Sequence, residues 1–391
     1  MTEPQLTDTP LSHMLNQIID GGLASLPEAF GLLINEAMKV ERSRHLQALP
    51  NERTGERTGF ANGFKPKTVL MRHGPLQLAI PQVRECDEPF YPRALEKGQR
   101  SEKALSLAVA EMYLQGVSTR RVTKVLESLC GTSISSATVS RVTAQLDPML
   151  QQWRERPIEP MDYLILDARY EKVRVDGAVR SCAVLIAIGV RSSDGKRLVL
   201  GTSVSLSEAE VHWREFLAGL RQRGLGLPAL IVSDAHEGLR AALRAVFSGV
   251  RWQRCQFHLQ QNAQGYVPKS DQKASVAGDI RRIFNSESLA QARERLAQTV
   301  EKYRAGAPKL AAWMEENLPE GFAVFALSET VRRRLRTSNA CENLNRQLRR
   351  RTSVAGLFPN EASLLRLVTA LLMEISEDWE TSKAYLTPQK T

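Results

Sequence analysis

Two short apolar runs that each end on an aspartate constrain this chain more than any other feature. They are Tyr163-Leu-Ile-Leu-Asp167 and Leu230-Ile-Val-Ser-Asp234. Runs of this length and composition read as buried strands. A carboxylate at the end of a buried strand is unfavourable unless something pairs with it. A third acid, Glu342, stands in Ser338-Asn-Ala-Cys-Glu342-Asn-Leu-Asn, just past a dense arginine cluster. Three carboxylates brought together repel, and a hard divalent cation is the usual remedy. A pair of Mg²⁺ ions, with Mn²⁺ as a substitute, would clamp the attacking and leaving oxygens of a phosphodiester. Asp167, Asp234 and Glu342 are therefore the candidate catalytic and metal-holding residues.

The charge balance points to the same substrate class. The chain of 391 residues carries a formal charge of +10, which favours a polyanionic partner. The charge is uneven. Met1 to Met38 holds five acids and no Lys or Arg, whereas Arg332 to Arg351 holds eight Arg and one Glu. An arginine run is by default a solvated face. Next to a candidate metal carboxylate, however, Arg346, Arg349, Arg350 and Arg351 suit phosphate contact, because guanidinium pairs bidentately with phosphate oxygens. The five cysteines form no CxxC pair, which suits a reducing cytoplasm rather than a secreted, disulfide-built fold. No signal peptide or membrane-spanning run is apparent. The expected setting is the cytoplasm, on DNA, with no membrane partner.

Periodicity divides the chain into segments. Residues 1–50 read as helical, with Leu32, Leu33, Ala37 and Val40 near helical spacing. The stretch Arg53 to Lys65 is rich in Gly and Arg and is expected to break regular structure. Val69 to Val83 suggests a small hairpin or edge strands. Residues 103–147 read as three helices, the first stopping at Gly116, the second capped by Ser118 and ended by Gly131. The third is capped by Ser135 or Ser136, with Val139, Val142 and Leu146 facing inward. Thr138, Ser140 and Arg141 would then face out. This is either a helix-turn-helix that reads DNA or an ordinary helical bundle.

From Met161 the period changes. Strands are expected at 162–167, 181–190, 197–204, 229–234 and 250–257, with Glu171 to Asp176 as a continuation or a hairpin arm. Helices are expected at 210–223 and 238–246. The order β-β-β-α-β-α-β is that of a ribonuclease-H-like α/β core, in which the first and fourth strands bring their carboxylates side by side. Asp167 and Asp234 are 67 residues apart and Asp234 and Glu342 are 108 apart. The second gap is too long for a compact fold of this type, so an all-helical insertion is expected within it. The resulting division is 1–100 (helical and small-strand region, for DNA binding or multimerisation), 101–155 (helix-turn-helix), 156–260 (first part of the core), 261–330 (insertion) and 331–391 (closing helices with the arginine cluster).

Several residues have competing readings. Asp234 could simply cap the following helix. Asp162 and Asp176 read as a strand start and a turn. Glu342 competes with Glu329 and Glu361. His236 is placed to approach a phosphate or to pack against the strand end. Trp313 is a core residue or a platform for an unpaired base. Cys255 and His258 form a Cys-x-x-His pair, but zinc would need two further ligands, so the pair is read as shaping the site or contacting DNA.

The motifs Leu166-Asp-Ala-Arg-Tyr-Glu-Lys-Val-Arg174, Ser233-Asp-Ala-His-Glu-Gly-Leu239, Trp252-Gln-Arg-Cys-Gln-Phe-His258 and Arg349-Arg-Arg-Thr352 are joined upstream by Ser101-Glu-Lys-Ala-Leu and Glu111-Met-Tyr-Leu-Gln-Gly-Val-Ser-Thr-Arg120. In this order they resemble the DDE transposases of the Mutator-like family of bacterial insertion sequences, from about Arg53 to about Leu386. The resemblance implies that Asp167, Asp234 and Glu342 form the triad, that Cys255 and His258 match the family's pair after the second aspartate, and that the second gap holds a helical insertion. It favours DNA contact by the 103–147 helices. One departure is that this chain reads Ser-Asn-Ala-Cys-Glu where many relatives have Thr-Asn-Pro with a Glu soon after. The implied activity is binding of terminal inverted repeats, followed by two-metal strand cleavage and strand transfer. The implied partners are double-stranded transposon ends and target DNA, with a homodimer or higher oligomer assembled on them. The alternatives are another ribonuclease-H-like nuclease, such as a junction resolvase, and a non-catalytic DNA-binding regulator.

Overall fold

The computed structural model describes residues 10–71, 74–93, 95, 103–114, 117, 119–130 and 135–386. The chain divides into two compact units, Met1–Thr143 and Ala144–Thr391. In the first, α1 (Pro10–Gly21) precedes α2 (Leu26–His45), followed by an antiparallel hairpin of β1 (Phe60–Met71) and β2 (Gly74–Arg84). Leu76, Leu78 and Ile80 alternate along β2 and bury one face of the hairpin around Met38 of α2. Two expectations need correction here. The hairpin begins inside the Gly/Arg-rich stretch, because an irregularity between Ala61 and Phe64, with Gly63 at φ +69°, absorbs the glycine without ending the strand. On α2 the buried positions are Ala29, Gly31 and Met38, while Leu33, Ala37 and Val40 are exposed.

The three expected helices follow as α3 (Lys103–Leu114), α4 (Thr119–Cys130) and α5 (Ser136–Ala144). Val109, Val122, Leu126, Val139 and Val142 form their common core. Thr138 donates its backbone N–H to the Ser135 hydroxyl at 3.1 Å, which makes Ser135 the cap of α5. Gly116, Ser118 and Gly131 lie outside the described residues.

The second unit opens with α6 (Asp147–Glu155) and is built on a mixed sheet of five strands. These are β3 (Met161–Val175), β4 (Ala178–Arg191), β5 (Arg197–Ser205), β6 (Leu230–Ser233) and β7 (Arg251–Arg254), with α7 (Glu210–Gln222) and α8 (Glu237–Val246) between the later strands. The spatial order is β5-β4-β3-β6-β7; the first three are antiparallel, and β6 and β7 run parallel to β3. The expected element order is therefore observed. Glu171 to Asp176 continues β3 into a two-residue turn at Asp176 and Gly177, both at positive φ. Asp162 accepts from the Ser192 hydroxyl at 2.6 Å. Both acids are structural in position.

Alternation along β3 assigns its two faces. Leu164 and Leu166 join Trp213, Leu217 and Leu220 of α7 and Leu239 and Leu243 of α8 in one apolar cluster. Ile165 and Asp167 point to the opposite face. The strand expected to reach Phe257 ends at Arg254, because Cys255 is the N-cap of α9 (Gln256–Ala263).

Helices then continue without a strand among the described residues as α10 (Lys273–Phe284), α11 (Leu289–Arg304) and α12 (Pro308–Asn317). They share their own core of residues such as Ile280, Ile283, Leu310 and Met314. Trp313 belongs to that core, at 9% exposure, with its ring stacked 5.4 Å from Tyr266. The chain closes with α13 (Glu329–Leu335), α14 (Asn339–Ala355) and α15 (Glu361–Thr381). Helix α15 is fastened by Arg366, which donates twice to Asp147 at 2.7 Å. Among the described residues no helix is long and apolar enough to cross a membrane.

Candidate active site

The parallel pairing of β3 and β6 sets the first two carboxylates. Tyr163, Leu164 and Ile165 are registered with Leu230, Ile231 and Val232, a constant offset of 67. Carried two residues further, the same offset puts Asp167 level with Asp234, just beyond the end of β6. Buried Leu, Ile and Val on both strands hold this register, since a slip of one residue would turn the whole apolar set over. The side chains sit differently. Asp167 is half-buried, while Asp234 is 43% exposed, so Asp234 faces the open side.

Helix α14 supplies the third acid. Asn345 donates its side-chain N–H to Asp167 Oδ2 at 2.8 Å. Glu342 is one turn earlier on the same helix, so it shares the face that meets Asp167. That docking is braced by Arg169, which donates to Asn345 O at 2.9 Å, to Thr352 Oγ1 at 3.4 Å and to the Glu171 carboxylate. The Thr352 hydroxyl donates to Glu171 at 2.7 Å. Leu344 and Leu348 are buried on the other side of α14. Sequence reasoning missed Asn345, Arg169, Glu171 and Thr352 as site residues. They lie inside the quoted motifs, but their roles depend on a strand and a helix far apart in the chain.

Cys255 and His258 fasten a second junction. Cys255 Sγ accepts from the Ser338 N–H and the Ser338 hydroxyl, each at 3.3 Å, and Gln256 N–H donates to Arg336 O at 3.0 Å. These bonds tie the start of α14 to the start of α9. His258 lies in the first turn of α9 with Nδ1 4.0 Å from Asp234 Oδ2. Its bond to Cys255 pushes its pKa up to about 9, against the effect of burial and with help from the nearby Asp234 and Asp167 charges. Burial would raise the Cys255 thiol, but the bond to His258 and those from Ser338 outweigh it and hold the thiol below its usual value. His236 caps α8, half-exposed, 3.9 Å from Glu208.

Asp167 is electrostatically strained. Burial pushes its carboxyl up to about 6, with the Asp234 and Glu208 charges adding to the rise; the Ala168 N–H and His258 oppose it. Nearby, Glu342 Oε1, Asn345 Oδ1 and His258 Nδ1 are buried without a hydrogen-bond partner. Buried polar atoms are normally satisfied, so the two orphan oxygens mark a place where a cation would be stabilised, while His258, charged at neutral pH, is an N–H donor there. The donor chemistry, hard carboxylate oxygens and an amide oxygen, fits Mg²⁺ or Mn²⁺. Among the described residues, however, no three His, Cys, Asp or Glu side chains are close enough to hold an ion as they stand. Asp167 and Asp234 lie level on adjacent strands, and Glu342 sits on the helix that Asn345 docks against Asp167, with no closed cage among the described residues.

The arginines have divergent positions. Arg346 and Arg349 follow Glu342 by four and seven residues on one helical face, and both are exposed, as is Arg350. Arg351 differs: it donates to both oxygens of Glu374 at 2.8 and 3.2 Å. Arg141 is exposed on α5 and donates to Thr138 at 3.0 Å. Glu329 opens α13 and Glu361 opens α15, each in a first helical turn.

A family model described as "Transposase, Mutator family" matches residues 1–382. The chain is 52% identical over 379 residues to the transposase for insertion sequence element IS406 of Burkholderia multivorans, covering 96% of this chain and 97% of that one. It is 39% identical over 386 residues to the transposase for element ISRM5 of Rhizobium meliloti, covering 98% and 95%. It is 36% identical over 359 residues to the transposase for IS256 in transposon Tn4001 of Staphylococcus aureus, covering 90% and 91%.

Proposed function

The chain belongs to the Mutator family of transposases, enzymes that cleave and transfer DNA strands, and within that activity we propose that Asp167, Asp234 and Glu342 are the DDE triad of a ribonuclease-H-like core. The observation that carries this reading is the shared offset of β3 and β6, which levels Asp167 with Asp234, together with the Asn345 bond that docks the Glu342 face of α14 against Asp167.

The three carboxylates would hold two Mg²⁺ ions, or Mn²⁺ in their place. When bound, the ions would supply charge stabilisation at the attacking and leaving oxygens of the phosphodiester. The chain's own residues do the positioning. Asp167 and Asp234 present oxygens from a rigid sheet, while Glu342 approaches on a helix braced by Arg169 and Thr352. Arg346 and Arg349, exposed further along the face that carries Glu342, and Arg350 beside them lie where the phosphates flanking the scissile bond would run. The same site would first expose a 3′-OH by hydrolysis and then direct that hydroxyl at target DNA in line.

The helices α3 to α5 are proposed as the region that reads the terminal inverted repeats, with Arg141 exposed on the last of them. The segment 261–330 would be the helical insertion of the core. Joining two ends of one element in a single reaction requires two sites held together, which implies a homodimer or higher oligomer on DNA. The test of the triad is nicking of end-bearing duplex in Mg²⁺ by Asp167→Asn, Asp234→Asn and Glu342→Gln, beside a gel-shift measurement. Cleavage and joining should vanish in each while end binding stays near the wild-type level. Full activity in any one of them removes that residue from the site.

A further inference from the structure

The arginine run that begins at Arg332 does not form one surface. Arg332 lies over the Phe325 ring at 5.0 Å and donates to Glu287 O at 3.0 Å. Arg336 donates to Asn285 Oδ1 at 2.7 Å. Arg333 and Arg334 are exposed, and among the described residues neither has a carboxylate within ion-pair distance. With Arg336 and Thr330 they line a groove of about 580 Å³, whose other wall is the segment from Ala384 to Leu386. Among the described residues no Asp or Glu lines it.

That second wall is held firmly. Tyr385 and Leu386 each donate a backbone N–H to Gly195 O at 3.0 Å. Tyr385 donates its hydroxyl to Arg334 O at 2.8 Å. The contact is close enough that a Cβ on Gly195 would meet Leu386 O at 1.9 Å. The Tyr385 ring already has two guanidinium groups against it, Arg197 at 4.5 Å and Arg334 at 5.6 Å. It is therefore not free to stack on an unpaired base.

Like charges converging on one groove repel, and a polyanion relieves that repulsion. With no carboxylate in the lining and no free aromatic platform, the complement is a row of phosphates rather than exposed bases. We propose that the groove between α13 and residues 384–386 seats the sugar–phosphate backbone of duplex DNA, as a contact separate from the α14 face that carries Glu342, Arg346 and Arg349. This rests on the reading that the chain handles DNA and adds a second path for it.

The test uses the full-length protein and a 40-base-pair duplex of random sequence, with affinity measured by fluorescence anisotropy across a NaCl series. The double variant Arg333→Gln/Arg334→Gln should flatten the slope of log affinity against log salt by about 1.8, the value for two lost phosphate contacts at about 0.9 each. Arg281→Gln/Arg293→Gln, which removes two exposed arginines elsewhere, should change it by less than about 0.5. The charge-retaining Arg333→Lys/Arg334→Lys should keep the wild-type slope, which guards against a loss caused by misfolding. An unchanged slope in the Gln pair overturns the proposal. So does an equal loss in both Gln pairs, which would mean a diffuse field rather than a seat. A 40-nucleotide oligo-dT strand that suffers the larger loss would overturn the duplex assignment. A wild-type protein that binds duplex without salt dependence would instead sink the DNA reading itself. The assay measures binding without cleavage, so failure of the triad leaves it unaffected.

Discussion

Replacing Asp167 with Asn should stabilise the metal-free protein, because the native carboxylate is held where its charge is unwelcome. Its carboxyl is displaced from 3.8 to about 6, chiefly by burial. At about 1.4 kcal/mol per factor of ten in proton affinity this is ~3 kcal/mol, and solvent screening at a half-buried side chain reduces it to about 1–2 kcal/mol. The sign follows from linkage. Below pH 3.8 the carboxyl is neutral in folded and unfolded chains alike. As pH rises towards about 6 the unfolded chain releases its proton first, so stability contributed by this group is lost across that window. The amide carries no charge to lose. It keeps the Ala168 N–H, which donates to Oδ1 at 3.0 Å. It can also keep its bond to Asn345, with that amide turned so that its orphan Oδ1 accepts from the new N–H.

The assay is thermal unfolding in EDTA at pH 7.5 and again near pH 4. The variant should melt roughly 3–6 °C higher at pH 7.5, and the gain should shrink towards nothing near pH 4. Adding Mg²⁺ should raise the wild-type midpoint and leave that of the variant nearly unchanged. A variant no more stable than wild type at pH 7.5, or one with the same gain at both pH values, would refute the reasoning.

Other outcomes follow from the same geometry. Arg349→Ala/Arg350→Ala should weaken duplex binding fairly evenly across sequences, with a salt slope shallower by about two units. Arg351→Ala should leave that slope alone and cost about 0.5–1 kcal/mol of stability through its lost pair with Glu374, read by thermal melting. Arg141→Ala should lower the preference for terminal-repeat over random duplex by roughly tenfold, as seen in competition gel shifts. Cys255→Ala leaves the Ser338 N–H and hydroxyl without their acceptor, so it should cost about 1–3 kcal/mol in denaturant unfolding and slow strand cleavage by loosening α14.

The sheet was legible because burial writes itself into sequence. β3, β4 and β6 are apolar runs with few competing readings, and the Asp-Gly turn after Val175 is a local signal. Asp167 and Asp234 stand out as candidates for the same reason: each ends such a run. Glu342 stood out less, since a glutamate in an Asn- and Arg-rich helix competes with Glu329 and Glu361, and the resemblance is what favours it over them. Less was legible where partners are remote in sequence. Arg351 reads like its neighbours until Glu374 is placed beside it. Trp313 has the composition of a stacking platform until Tyr266 and the helical core enclose it. The end of β7 was misplaced because Phe257 suits a strand, while the capping role of Cys255 depends on the backbone turn there. On α2, Leu33 and Val40 look like the inner face, but the hairpin packs against Met38 instead.

The most direct measurement is metal rescue of cysteine variants on end-bearing duplex. Asp167→Cys, Asp234→Cys and Glu342→Cys replace a hard oxygen with a softer sulfur, which Mn²⁺ accepts more readily than Mg²⁺. If these three side chains hold the ions, each variant should bind DNA normally, fail to cleave in Mg²⁺, and recover measurable cleavage in Mn²⁺. Cleavage in Mg²⁺ at the wild-type rate by any one of the three would contradict its place in the triad.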